Sequence, residues 1–223
     1  MQLTSSYNIT TLDETLEPHT YIDRYTDPET KQLLHAYKFS SNSDSSTYRE
    51  AKETLTRKTL DICLEKYISS RQGMIVYTSP PSTMYARGEK SVDSMFELMR
   101  NTSLKLLQLV QQIPGVYVYV DSIFGISHTY IKEKRAQHID GSRKNRIKDI
   151  RSRYVVSIKH ILYLFYCIRI RNIQHFSYVI VDDVSSTGAT LLACKETLLS
   201  KLSLVHRKNP HITYDVRIFS LSH

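Results

Sequence analysis

The segment Tyr178–Thr190, YVIVDDVSSTGAT, decides how this 223-residue chain is expected to fold. Its apolar start belongs to a run from Ser177 to Val181 that is typical of a strand buried on both faces. Two adjacent carboxylates, Asp182 and Asp183, follow the run, and a hydroxyl-rich turn then leads into a helical pattern. Ligands of open α/β sheets bind where a strand ends in this way, so the segment predicts a binding site.

The turn after the two carboxylates has the composition of a phosphate site. Gly188 permits close backbone approach, and the hydroxyls of Ser186, Thr187 and Thr190 would join free amides at a helix N-terminus. Carboxylates accept hydrogen bonds from vicinal diols, and adjacent strand residues point to opposite faces. A phosphate site beside a diol site predicts a ribose 5-phosphate group. The chain has neither a G-x-x-x-x-G-K-[ST] loop nor a G-x-G-x-x-G fingerprint.

Strand and helix patterns alternate along the rest of the chain. Helical spacing runs from Thr47 to about Ser69 and again over residues 90–112, and apolar strands are predicted at Met74–Tyr77 and Val116–Val120. This alternation predicts an α/β fold with a central, mostly parallel sheet and helices on both faces. We expect an irregular N-terminal segment over residues 1–30 and one folded domain over residues 31–223.

Composition and charge limit the classes of function. The chain is 41% hydrophobic and 23% charged, which excludes disordered and low-complexity classes. Its 30 Lys and Arg against 22 Asp and Glu leave a net charge of +8, which favours partners that carry phosphates, nucleic acid included. Three distant cysteines form no C-x-x-C pair, so a zinc ribbon or disulfide framework is not indicated. Residues 1–17 lack the features of a secretory signal, and we expect a cytoplasmic protein.

The apolar stretch Tyr154–Ile170 is about the shortest that could cross a bilayer. Lys159 and His160 near its centre and Arg169 near its end disfavour a membrane span. The stretch is therefore expected to be a strand followed by a helix, or a contact between copies in a homo-oligomer.

The string VIVDDVSSTGAT resembles the phosphoribosyl pyrophosphate motif of type I phosphoribosyltransferases. Other segments are similar, in the family's order, to its ComF-like branch: Leu33–Phe39 (LLHAYKF), Tyr77–Gly88 (YTSPPSTMYARG) and Arg135–Asn145 (RAQHIDGSRKN). The resemblance implies the type I phosphoribosyltransferase fold, with a central, mostly parallel sheet, flanking helices and a small hood.

The resemblance also implies roles for individual residues. Asp182, Asp183 and Arg135 would be catalytic, with both carboxylates on the ribose 2- and 3-hydroxyls. The residues implied to bind substrate are Ser185, Ser186, Thr187, Gly188, Ala189 and Thr190 at the 5-phosphate, Ser79, Pro80, Pro81 and Arg87 at the pyrophosphate, and Gln137, Arg143 and Asn145 in a segment that closes over the leaving group. Magnesium is implied as a cofactor held mainly by substrate oxygens.

Two functions follow from these features. The first is a magnesium-dependent enzyme that transfers phosphoribose from phosphoribosyl pyrophosphate to a nitrogenous acceptor. The second is a non-catalytic module that senses phosphoribosyl pyrophosphate or a nucleotide in a competence-type or nucleic-acid-associated system. Glu89-Lys90-Ser91 stand where the family usually has an aromatic residue, Asn and Gln, which favours the second function, whereas the retained acid pair favours the first. The family's four-cysteine zinc module is absent, which argues against a role in DNA uptake.

Overall fold

Among the described residues, five parallel strands form the central sheet, in the order β1-β7-β6-β2-β3. The computed structural model describes residues 20–23, 28–39, 45–67, 73–82, 94–110, 115–127, 152–184 and 188–222. The sheet strands are β1 Thr20–Asp23, β2 Gly73–Thr78, β3 Val116–Val120, β6 His175–Val184 and β7 Thr213–Ser222. A separate antiparallel ribbon joins β4 Phe124–Ile126 to β5 Tyr154–Val156.

Five helices are described, and they pack on the two faces of the sheet. They are α1 Pro28–Phe39, α2 Ser46–Tyr67, α3 Ser94–Val110, α4 Ile158–Ile170 and α5 Ala189–Lys208. One apolar core forms where α4 and α5 cover the sheet, and a second forms beneath α1, α2 and α3. The predicted α/β fold with a mostly parallel sheet and flanking helices is thereby confirmed.

Strand β2 shows why a continuous apolar run is needed in the middle of this sheet. Met74 and Val76 belong to the core under α4 and α5, whereas Ile75 and Tyr77 belong to the core under the other helices. All four side chains are buried because both faces of the strand are covered. Full burial of a large apolar side chain contributes about 1.5–3 kcal/mol.

Tyrosine side chains connect the three helices that cover the second core. Tyr37 of α1 stacks on Tyr48 of α2 with ring centroids 5.5 Å apart, and its hydroxyl donates to the carbonyl of Ser94 at 2.7 Å. The hydroxyl of Tyr48 donates to Glu97 Oε2 of α3 at 3.1 Å, and Lys52 pairs with the other oxygen of Glu97. These contacts link three helices through polar groups at the rim of an apolar core.

The stretch Tyr154–Ile170 forms β5 and α4, which is the predicted strand followed by a helix. Within the described ranges, none of the helices has the length and apolarity needed to cross a membrane. The outer face of α4 nevertheless carries apolar side chains at every fourth position: Ile158, Leu162, Tyr166 and Ile170 are 73%, 63%, 47% and 69% exposed. The alternative of an oligomer contact on this face stays a prediction.

Candidate functional site

The order of the strands creates a switch point between β2 and β6. The chain leaves β2 through α3 to reach β3 on one side, and it leaves β6 through α5 to reach β7 on the other side. The two connecting helices also lie on opposite faces of the sheet. A crevice forms at the carboxyl ends of two such strands, and this is where open α/β sheets bind ligands.

Two predicted site segments meet at this crevice although about 100 residues separate them in the sequence. Thr78, the last residue of β2, pairs with Ile180 of β6. The loop Ser79–Pro81 therefore follows β2 beside the last four residues of β6, which include Asp182 and Asp183. Ser79 and Pro80 are buried and Pro81 is half-buried, so this loop is held against the fold.

Asp182 and Asp183 both belong to strand β6, which continues to Val184. Asp182 pairs with Ser220 of β7 and is half-buried on the face that α5 covers. Burial and, after it, the charge of Asp182 raise the pKa of the Cys194 thiol on α5 well above its ordinary value. Asp183 follows Asp182 in the same strand.

Gly188 forms the start of helix α5 in a conformation that suits glycine. Its φ is 66°, in the left-handed region, and its carbonyl accepts the first helical hydrogen bond from Leu192 at 2.9 Å. Among the described residues, no side chain caps this end of the 20-residue helix. The helix therefore directs its positive end toward the carboxyl edge of the sheet, where Ala189 is buried and Thr190 is half-buried.

Two hydroxyls at this edge are buried without a hydrogen-bond partner among the described residues: those of Thr78 and Ser220. By strand alternation both lie on the α4 and α5 face, which Asp182 shares. Buried polar groups are nearly always hydrogen-bonded, so these two hydroxyls indicate that polar partners lie at the strand ends.

A buried polar network that the sequence analysis missed also reaches this edge. Asp121 follows β3 directly, and its Oδ2 lies 3.1 Å from Nδ1 of His160 in α4. The other ring nitrogen, Nε2, lies 3.1 Å from the hydroxyl of Tyr178 in β6. Burial, followed by the charges of Cys167 and Asp121, raises the pKa of Tyr178 well above its ordinary value. A carboxylate only accepts hydrogen bonds, so Nδ1 of His160 donates to Asp121, and the hydroxyl of Tyr178 is the donor available to Nε2.

A second polar cluster lies at the opposite, amino-terminal edge of β6 and β7. Ser177 Oγ donates to Asp215 Oδ1 at 2.7 Å, and Nε2 of His175 lies 3.1 Å from both of those oxygen atoms. In a serine nucleophile, His must receive the Ser proton at one nitrogen while the acid holds the other nitrogen. Here the Ser proton goes to the carboxylate instead. The cluster therefore stabilises the pairing of β6 with β7 and does not form a nucleophile.

Several predicted site residues lie outside the described ranges. They are Arg87, Arg135, Gln137, Arg143, Asn145, Ser185, Ser186 and Thr187. For Asp183 the backbone is described and the side chain is not. The structure thus brings together Ser79–Pro81, Asp182 and Gly188–Thr190, and the roles of the other residues stay predictions.

No group of three or more His, Cys, Asp or Glu side chains that could hold a metal ion occurs among the described residues. Comparisons with protein-family models, with curated proteins and with solved structures found no match.

Proposed function

We propose that the chain is a magnesium-dependent phosphoribosyltransferase that binds phosphoribosyl pyrophosphate and transfers phosphoribose to a nitrogenous acceptor. One observation carries the proposal. The segment VIVDDVSSTGAT supplies an acid pair and a glycine-initiated helix at the carboxyl end of a strand that borders a switch point. This arrangement suits a ligand that has a phosphate next to a sugar diol.

The finer fold proposed with this function is that of type I phosphoribosyltransferases. The parallel sheet is its core, and the β4–β5 ribbon is the base of its small hood. The amide of Ser157 donates to the carbonyl of Ile123 at 2.8 Å, which extends the ribbon by one pair toward Val120 at the end of β3. A hood at this place would cover the crevice from the side of β3.

In the proposed reaction a bond forms between an acceptor nitrogen and the anomeric carbon of the ribose. The bond from that carbon to the pyrophosphate breaks, the pyrophosphate leaves with the electron pair, and any proton on the acceptor nitrogen is released to water. Asp182 and Asp183 hold the ribose hydroxyls, and their charge favours the positive charge that develops on the sugar. The turn at Gly188–Thr190 binds the 5-phosphate, and the loop Ser79–Pro81 binds the pyrophosphate.

Oxygen donors at the carboxyl edge fit magnesium, which prefers carboxylates, hydroxyls and substrate phosphates. Asp182 is a donor of this kind, as are the hydroxyls of Thr78 and Ser220, which have no partner in the described part of the chain. The ion, held mainly by substrate oxygens, would neutralise charge on the departing pyrophosphate. Arg135, Gln137, Arg143 and Asn145 are proposed to close over the leaving group and exclude water.

A second candidate function is that of a non-catalytic sensing module that contacts nucleic acid. A tyrosine ladder favours it: Tyr119 stacks on Tyr163 at 4.5 Å, Tyr163 on Tyr166 at 6.2 Å, and Arg171 lies 6.0 Å from the Tyr166 ring. Tyr166 is half exposed, and α4 carries no acidic residue. Exposed aromatic rings beside cations are typical of surfaces that stack nucleic-acid bases.

Turnover separates the two candidates. The full chain is incubated with phosphoribosyl pyrophosphate, magnesium and a panel of nitrogenous bases, and release of pyrophosphate is measured. The enzyme predicts acceptor-dependent release that is lost in Asp182→Asn and Asp183→Asn, with Glu53→Gln on the exposed side of α2 as the control. Binding of the substrate without turnover, together with a salt-dependent affinity for single-stranded DNA, would favour the module.

A further inference from the structure

Asp121 borders the loop that is proposed to bind pyrophosphate. Val120 pairs with Tyr77, and the amide of Asp121 donates to the carbonyl of Tyr77 at 3.1 Å. Asp121 is therefore the neighbour of Thr78, the residue that precedes Ser79. Adjacent strands lie about 4.8 Å apart, so Asp121 is one strand from this loop and about 10 Å from the end of β6.

A carboxylate beside a pyrophosphate raises the energy of the complex unless a cation lies between them. Magnesium is commonly bound by one or two carboxylates together with substrate phosphates. We propose that Asp121 binds the magnesium ion that accompanies the pyrophosphate, and that His160 and Tyr178 are its positioning residues. The inference rests on the proposed function, because it requires the pyrophosphate above the loop Ser79–Pro81.

A hydrogen bond from a buried side chain holds the carboxylate of Asp121 in one orientation, as is typical of a metal ligand. The side chains of His160 and Tyr178 are fully buried, while the side chain of Asp121 is 28% exposed. The hydrogen bond from Nδ1 of His160 uses Oδ2 of Asp121 and, among the described residues, leaves Oδ1 to a ligand. Hydrogen bonds of this kind fix the orientation of ligating side chains, and removing them weakens metal binding about 10–100-fold.

Burying these polar side chains costs free energy, which indicates that the network has a role at the carboxyl edge of the sheet. Two polar side chains are buried in an apolar core where residues such as Leu and Phe would pack without needing partners. Among the described residues, the chain of hydrogen bonds from Tyr178 through His160 reaches the surface at Asp121. Thr78, the neighbour of Asp121 on the same face, adds a buried hydroxyl that has no partner in the described part of the chain.

Inorganic pyrophosphate is the probe that tests the inference. Its binding to the full chain is measured by calorimetry with magnesium and with a chelator, for the wild type and for Asp121→Asn. With magnesium we expect the variant to bind about tenfold more weakly, because a ligand of the ion is lost. With the chelator we expect equal or tighter binding by the variant, because a repelling charge is gone.

The different effects of Asp121→Asn with magnesium and with the chelator distinguish metal binding from a merely structural role. A structural defect would weaken binding under both conditions, and that result would overturn the inference. Glu53→Gln, an exposed acid on α2, is the control and should change neither value. Tyr178→Phe should weaken binding only when magnesium is present, since it removes the donor that fixes His160.

The wild type alone provides a second readout if Asp121→Asn folds poorly. Manganese, which is paramagnetic, replaces magnesium, and its pyrophosphate complex should broaden the ring signals of His160 more than those of His175 at the opposite edge. Equal broadening of both histidines would overturn the inference while the proposed function stands. A wild type that binds neither pyrophosphate nor phosphoribosyl pyrophosphate would overturn both.

Discussion

Nε2 of His160 lies 3.1 Å from the hydroxyl oxygen of Tyr178, and neither side chain is reached by solvent to more than 1%. Each group is the partner that the other needs in a low-dielectric core, because an unpaired buried polar atom costs about 1–3 kcal/mol. The contact also joins α4 to β6 across the face that carries the proposed site. This relationship gives the first prediction.

Tyr178→Phe should lower the free energy of unfolding by about 1–3 kcal/mol. The change conserves ring volume but leaves Nε2 of His160 buried without a donor. Urea denaturation measures the effect. Tyr117→Phe, on a side chain that is 42% exposed, is the matched control and should stay within about 0.5 kcal/mol of the wild type. Equal losses in both variants would mean that the buried hydrogen bond contributes nothing.

Gly73→Ala should destabilise the sheet where β2 and β6 begin to pair. Gly73 has a φ of 147°, and a Cβ atom there would lie 2.5 Å from the carbonyl oxygen of His175. Strain and overlap together should cost about 2 kcal/mol or more. Gly125→Ala is the control, since its Cβ would meet Val155 at 3.4 Å, and it should cost less than about 1 kcal/mol. A smaller loss for Gly73→Ala would contradict the backbone described for this edge.

Tyr48 should make the stability of the protein fall at alkaline pH. Burial, together with the nearby charge and hydrogen bond of Glu97, raises its pKa to about 12. Between the ordinary tyrosine pKa of about 10 and this value, the unfolded chain loses the proton and the folded chain keeps it. Stability from this group is therefore complete below about pH 10 and is lost as the pH rises toward 12.

Tyr48→Phe tests this pH dependence. The variant should be less stable than the wild type at neutral pH, because its hydrogen bond to Glu97 is gone, and it should lose less stability on going to high pH. Unfolding curves across the alkaline range measure both quantities, with Tyr117→Phe as the control. Parallel alkaline slopes in the wild type and Tyr48→Phe would show that Tyr48 does not couple its ionisation to folding.

Gly188→Ala should weaken binding of ribose 5-phosphate. A φ of 66° costs a residue with a Cβ about 1–2 kcal/mol. The variant can relieve that strain by moving the turn, and ligand binding must then restore the strained conformation. The free energy that this requires should lower the affinity about tenfold. Gly188→Asn should lose less stability, because Asn tolerates the left-handed conformation better. Unchanged affinity in Gly188→Ala would mean that the phosphate does not bind at the start of α5.

The part of the site that the sequence predicted is contiguous in the chain. A buried strand, two carboxylates and a glycine turn occur in one segment, so local rules for strands and helix termini suffice for β6, Asp182 and Gly188. The strand and helix in Tyr154–Ile170 were also foreseeable, although Ile158 and Leu162 make α4 apolar on its exposed side and so leave its core face undefined by periodicity.

The rest of the site depends on which elements become neighbours. Asp121 and His160 are 39 residues apart, and His160 and Tyr178 are 18 apart, so no local pattern predicts their contacts. In strand β7 the charged residues Asp215 and Arg217 alternate with apolar residues. The role of these two charged residues appears only when β6 lies beside the strand. The switch point likewise requires the order of the strands, which tertiary packing decides.

The central claim is that the carboxyl ends of β2 and β6 bind phosphoribosyl pyrophosphate. Calorimetry with this compound and magnesium tests it most directly, on the wild type, on the double variant Asp182→Asn/Asp183→Asn, and on Asp215→Asn at the opposite edge of the same sheet. The account predicts binding by the wild type and by Asp215→Asn, and loss of binding in the double variant. Absence of binding in the wild type, or undiminished binding in the double variant, would contradict it.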